Sequence, residues 1–173
     1  MDKISFKVLL DAIIDTLLLV MLPYFLSKIN LYINKYITNF FKYNHRYKPY
    51  FQIIDRISDY YHEITHLIIA FLFFCKIEKI SFKESNPHIT YKESFIVVLD
   101  CFYISLSPMI FFLIFYKFFY KCIYLYPFFL IFFLFFAIPS KTDVDSITKK
   151  TFIGTFMAVF LVSFFYEWIK VSI

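Results

Sequence analysis

From Cys122 to Ile138 the chain runs without a single charged residue, and the stretch from Phe95 to Phe119 carries charge only at Asp100 and Lys117. Apolar runs of this length suit helices that cross roughly 30 Å of hydrocarbon. Similar runs cover Val8 to Leu26 and Thr151 to Ile169, and a helix expected over Tyr50 to Cys75 is wholly apolar from Leu67 onward. Hydrophobic residues make up 61% of the 173 positions and aromatic residues 25%. A soluble domain carries roughly 45–50%, and one core of this size cannot hide the excess from water. The expected class is an all-α membrane protein with about five transmembrane helices.

The segments between the apolar runs set the rest of the outline. Lys3 and Lys7 precede the first run as in a signal peptide, but Asp11 and Asp15 interrupt it. No small-residue cleavage site follows, so a retained first span is expected. Residues 27–50 alternate Lys28, Lys35, Lys42, Arg46 and Lys48 with aromatic and aliphatic residues, which predicts an interfacial amphipathic helix closed by Pro49. Lys76 to Phe82 alternates polar with apolar residues, Asn86-Pro87 signals a turn, and His88 to Tyr91 completes an expected β-hairpin.

Other function classes lose ground on composition. The net charge of +5 is spread between apolar segments rather than gathered on one face, so no nucleic-acid partner is expected. The lysines and arginines divide evenly between the two sides of a five-span layout, which leaves orientation undetermined. One glycine, Gly154, excludes a glycine-rich phosphate loop. Cys75, Cys101 and Cys122 lie in apolar stretches without CxxC spacing and read as free thiols.

One pattern carries chemistry. In His62-Glu63-Ile64-Thr65-His66 the histidines stand at i and i+4, on one face of a helix, where both imidazoles can reach one metal ion. Glu63, one position round, is placed to serve as general base toward a water molecule and then to protonate a leaving amine. A polar patch that merely binds helices together is the plainer alternative. A catalytic zinc wants a third protein ligand. A metzincin histidine would fall at position 72, which is Leu72. Glu84 and His88 lie in the expected hairpin, Asp100 lies inside an apolar run, and Asp143 and Asp145 follow the helix-ending Pro139-Ser140. Asp59, three residues before His62, could accept the free N–H of a ligand imidazole or pair with Arg56.

HEITHLIIAFLFFCKIEKISF resembles the helix-and-strand stretch of the site-2-protease-type intramembrane zinc metalloproteases. Ser105-Leu106-Ser107-Pro108 is similar to the start of that family's next span. Ile138-Pro139-Ser140-Lys141-Thr142-Asp143 resembles the Pro-Ser-x-x-Asp variant of its small bacterial members. The likeness covers roughly residues 55–145. It implies that His62, His66 and Asp143 bind zinc and that Glu63 is the catalytic base. Asp59, Asp100 and Asp145 remain as supporting or alternative groups.

Three features depart from the family. Thr65 stands where its motif has glycine, the Asp-Gly and Asn-Pro elements of its larger members are missing, and Asp55 to Asp59 is more polar than an ordinary span.

The expectation is a zinc-dependent intramembrane endopeptidase, multi-pass in a bacterial cell membrane, cutting membrane-embedded or membrane-anchored protein segments. Residues 1–50 would form the N-terminal span and interfacial helix, 51–145 the zinc-site core, and 146–173 the C-terminal span. A non-catalytic metal-binding membrane protein, such as an immunity or chaperone-like factor, is the alternative. A small transporter is disfavoured because no inverted repeat is visible.

Overall fold

The computed structural model describes residues 3–44, 47–82, 87–92 and 97–172. Helix α1 (Lys3–Thr16) passes through a π turn (Leu17–Met21) into α2 (Leu22–Tyr43). Pro23 explains the π turn. It has no N–H to donate, and its ring crowds the carbonyl one turn back. The Leu22 N–H reaches back to Leu17 O, a five-residue step that widens the helix where proline enters. Residues 27–43 therefore continue the first helix and do not form a separate interfacial one. Ser27 and Asn30, in that supposedly interfacial stretch, are wholly buried.

Pro49 likewise opens a helix rather than closing one. It lies in the first turn of α3 (Lys48–Leu72), where a missing N–H costs nothing. The face of α3 that faces inward carries Thr65, His66, Ile69 and Ala70, positions one helical turn apart. Phe74, at φ 57°, ends the helix in the left-handed conformation. This turn lets Cys75 N–H bond Ala70 O at 2.9 Å and Phe73 N–H bond Ile69 O at 3.0 Å. It also swings the chain into β1 (Lys76–Ser81).

Strand β1 pairs antiparallel with β2 (His88–Lys92), with Ser81 opposite His88, Ile80 opposite Ile89 and a bulge between Ile77 and Lys79. The expected hairpin is present. Glu84 lies outside the described residues. The Tyr60 hydroxyl donates to Phe82 O at 3.0 Å and fastens the end of β1 to α3.

The expected span from Phe95 to Phe119 is broken. Helices α4 (Val97–Ser105) and α5 (Ser107–Phe119) meet at 69°, with Pro108 in the first turn of α5. The next expected span, Cys122 to Ile138, is a 3-10 turn (Ile123–Leu125) followed by α6 (Tyr126–Phe135). Its ten helical residues rise only about 15 Å, half a bilayer. The chain then makes α7 (Lys141–Ser146) and α8 (Lys149–Ser172), which packs along α1.

Among the described residues, two helices are long and apolar enough to cross a membrane, Phe6–Tyr43 and Lys149–Val171; the bent pair α4–α5 makes a third if it counts as one span. Five spans are not reached. The half of α3 before the histidines carries exposed Asp55, Arg56 and Asp59, and α6 is too short. The all-α class fits, with one two-stranded sheet. Phe102 and Leu106 pack with Val20, Val144 and Ile147 where α4, the π turn and α7 meet. A Ser105–Ser146 hydroxyl contact of 2.9 Å ties the α4–α5 corner to α7.

Phe74 is 85% exposed, so its side chain adds little packing. A left-handed non-glycine residue costs about 1–2 kcal/mol, while glycine loosens the unfolded chain by about 0.5–1 kcal/mol. Phe74→Gly should therefore raise stability by up to about 1 kcal/mol. Thermal unfolding in detergent reads this directly, and a lowered Tm would show that Phe74 is held by packing instead.

Candidate metal centre

The two histidines of α3 point their Nε2 atoms at each other, 2.7 Å apart. Asp143 Oδ2 comes to 3.0 Å from His62 Nε2 and 3.5 Å from His66 Nε2. His66 is buried, and His62 and Asp143 are partly exposed. The structure thus brings together three of the residues singled out in the sequence, from two segments some 80 positions apart.

Asp143 is presented by a capping box. Ser140 is the N-cap of α7, and its hydroxyl accepts from the Asp143 N–H at 3.1 Å. The Ser140 N–H donates in return to Asp143 Oδ2 at 2.9 Å. The Ser-x-x-Asp spacing therefore has a local meaning. It folds the carboxylate back over the start of its own short helix and leaves Oδ2 facing the imidazoles.

Counting protons fixes the tautomers. Thr65 Oγ1 donates its only hydrogen to His62 O at 2.7 Å, so in its 3.0 Å contact with Ser107 Oγ it must accept. Ser107 has then spent its hydrogen and can only accept from His66 Nδ1, 3.3 Å away. His62 Nδ1 lies 3.2 Å from Ile138 O, which also only accepts. Both rings therefore carry hydrogen on Nδ1 when neutral, and both Nε2 atoms present lone pairs. With Asp143 Oδ2, three lone-pair atoms converge within 2.7–3.5 Å. Such a convergence is repulsive unless a metal cation, or a proton on one imidazole, sits in its midst.

This donor set fits zinc. Tetrahedral ligands at about 2.0–2.1 Å lie about 3.3 Å from one another, so the triangle needs only sub-ångström adjustment. Both imidazoles have their second nitrogen oriented by a fixed acceptor, as ligand histidines do. The Glu63 oxygen lies within 4.8 Å of both histidine donor atoms. With His62 and His66, the half-buried Glu63 forms a His-Glu-His cluster whose ligand atoms could themselves hold a metal ion, beside the Asp143 carboxylate.

The remaining candidates fall elsewhere. Asp59 is exposed, and the Nδ1 of His62 faces the Ile138 carbonyl rather than Asp59. Asp100 is wholly buried in the first turn of α4, Asp145 is exposed on α7, and His88 begins β2; none belongs to the cluster of ligand atoms within 4.8 Å. Sequence reasoning missed Ile138 O, a backbone group that leaves no residue-type signal. Thr65, where the family motif has glycine, is buried, and its two hydrogen bonds make it the link between the His62 backbone and Ser107.

No protein-family model, curated protein or solved structure matches this chain.

If the triangle is a zinc site, Asp143→Asn should weaken zinc binding by more than about 100-fold, since second-layer losses alone cost 10–100-fold. Glu63→Gln should bind zinc as wild type does. Competition with a chromophoric chelator measures both. The reverse pattern, with Glu63 essential and Asp143 dispensable, would make Glu63 the third ligand.

Proposed function

We propose that this chain is a zinc-dependent intramembrane endopeptidase, multi-pass in a bacterial cell membrane, of the site-2-protease type that its motifs resemble. The observation that carries the reading is the convergence of His62 Nε2, His66 Nε2 and Asp143 Oδ2 with Glu63 alongside. His62, His66 and Asp143 would hold the metal. Bound there, zinc supplies Lewis acidity toward a peptide carbonyl and toward water.

The chain's own groups do the rest. Glu63, outside the triangle, takes a proton from the attacking water and delivers it to the departing amine nitrogen. The Ile138 carbonyl and Ser107 hydroxyl keep both rings in the lone-pair-inward tautomer throughout. Outward faces rich in large apolar residues, among them Leu18, Leu19, Val162 and Phe165, suit a lipid surrounding.

Peptide bonds inside a helix are shielded, so a membrane-embedded substrate must be extended to be cut. The hairpin supports a route. In the two-stranded sheet β2 packs against α3, so its far edge could pair with an extended substrate beside the base. The alternative, a metal-binding membrane protein without turnover, would use the same ligand groups.

Reconstituted protein should cleave a fluorogenic transmembrane test peptide. Glu63→Gln should lose roughly 10²–10⁴-fold in rate with zinc retained. Equal and negligible turnover by wild type and Glu63→Gln, with zinc bound to both, would favour the non-catalytic reading.

A further inference from the structure

The Asp143 segment leaves α6 through a helix end whose carbonyls have lost their usual partners. Phe136 N–H and Ala137 N–H both bond Phe132 O, at 2.8 and 3.0 Å, so Phe133 O does not receive the Ala137 N–H that an unbroken helix would supply. Asn30 of α2 fills the gap. Its Nδ2 donates to Phe133 O at 2.5 Å and to Ala137 O at 3.1 Å, which uses both amide hydrogens. Asn30 is wholly buried, more than a hundred residues away in sequence.

The position of this clamp matters. Ala137 is followed at once by Ile138, whose carbonyl faces His62 Nδ1, then by Pro139 and the Ser140–Asp143 capping box. We propose that Asn30 is a positioning residue of the metal centre, fixing through the Phe133 and Ala137 carbonyls where Ile138 O and Asp143 Oδ2 meet the histidines. This rests on the reading of His62, His66 and Asp143 as a metal site.

Ser27 lies one turn earlier, is equally buried, and its hydroxyl has no hydrogen-bond partner among the described residues. It supplies an internal control, because a general packing defect on this face of α2 would follow from either position. Asn30→Leu keeps the same branched arrangement of side-chain heavy atoms, with a somewhat larger volume, and removes both donors. Ser27→Ala removes a hydroxyl that holds nothing.

The test uses the full chain in detergent, with zinc competition, Co2+ absorption spectra, and amide exchange of the metal-free protein. Asn30→Leu should weaken zinc binding roughly ten-fold or more and change the Co2+ ligand-field bands. It should also speed exchange at the Asp143 and Val144 amides by about ten-fold, with α1 and α8 amides unchanged. Ser27→Ala should match wild type throughout.

Wild-type affinity and spectrum in Asn30→Leu, with zinc bound normally by the unmutated chain, would overturn this inference and leave the metal site standing. Faster exchange spread evenly over α1, α3 and α8 would overturn it too, since it would mark a general stability role. No metal uptake by the unmutated chain would take down the metal-site reading and this inference with it.

Discussion

The end of α6 is the constraint on which the rest of the structure turns. A helix that stops among apolar side chains leaves carbonyls that water cannot reach, and each unpaired one costs about 1–3 kcal/mol. Here three side chains from two other helices serve them. Asn30 of α2 takes Phe133 O and Ala137 O, Ser58 of α3 takes Phe135 O at 2.5 Å, and His62 of α3 faces Ile138 O. The polar groups that close this helix end are therefore among those that build the site. His62 belongs to both sets, with Nδ1 on the carbonyl and Nε2 on Asp143.

That double use explains why α6 stops where it does. A full-length span after Cys122 would carry residues 139–143 to the far side of the bundle. Ten helical residues instead bring the chain to the level of His62, and the irregular turn at 136–140 keeps it there until the capping box begins. The broken pair α4–α5 works in the same direction. Its corner places Ser107 at the start of α5, against Thr65 and His66, and Ser105 against Ser146 of α7. Breaks in two apolar helices thus serve one purpose, which is to bring polar groups to the inner face of α3.

The chemistry-bearing parts were the most legible in sequence. His62 and His66 share a face because the helical repeat requires it. The hairpin was readable from alternation after Cys75, and Asp143 from Pro-Ser-x-x-Asp. The helix count was not legible, since hydropathy records how apolar a stretch is and says nothing about where it bends. Pro108 and Pro127 sit inside apolar runs, and only packing decides whether a proline starts a new helix or is absorbed, as Pro23 is by the π turn. Asn30 was lost for a related reason. Its neighbours Lys28 and Lys35 are exposed, while it faces inward, and a composition window averages the two faces. Asp59 failed because a backbone carbonyl, invisible to residue-type reasoning, reached the imidazole first.

Thr65 shows how a departure from a motif can be absorbed. A glycine at this position would leave Ser107 free to donate to His66 Nδ1, and the ring could then turn its hydrogen inward to Nε2. The threonine hydroxyl, with its hydrogen committed to His62 O, forces Ser107 to donate toward it and to accept from His66. One added hydroxyl thereby sets the direction of the whole chain of hydrogen bonds, from His62 O through Thr65 and Ser107 to His66. At its far end a lone pair points at Asp143. The substitution that looks like added bulk in a close-packed helix contact is, in hydrogen-bond terms, what keeps the second imidazole ready to bind a cation.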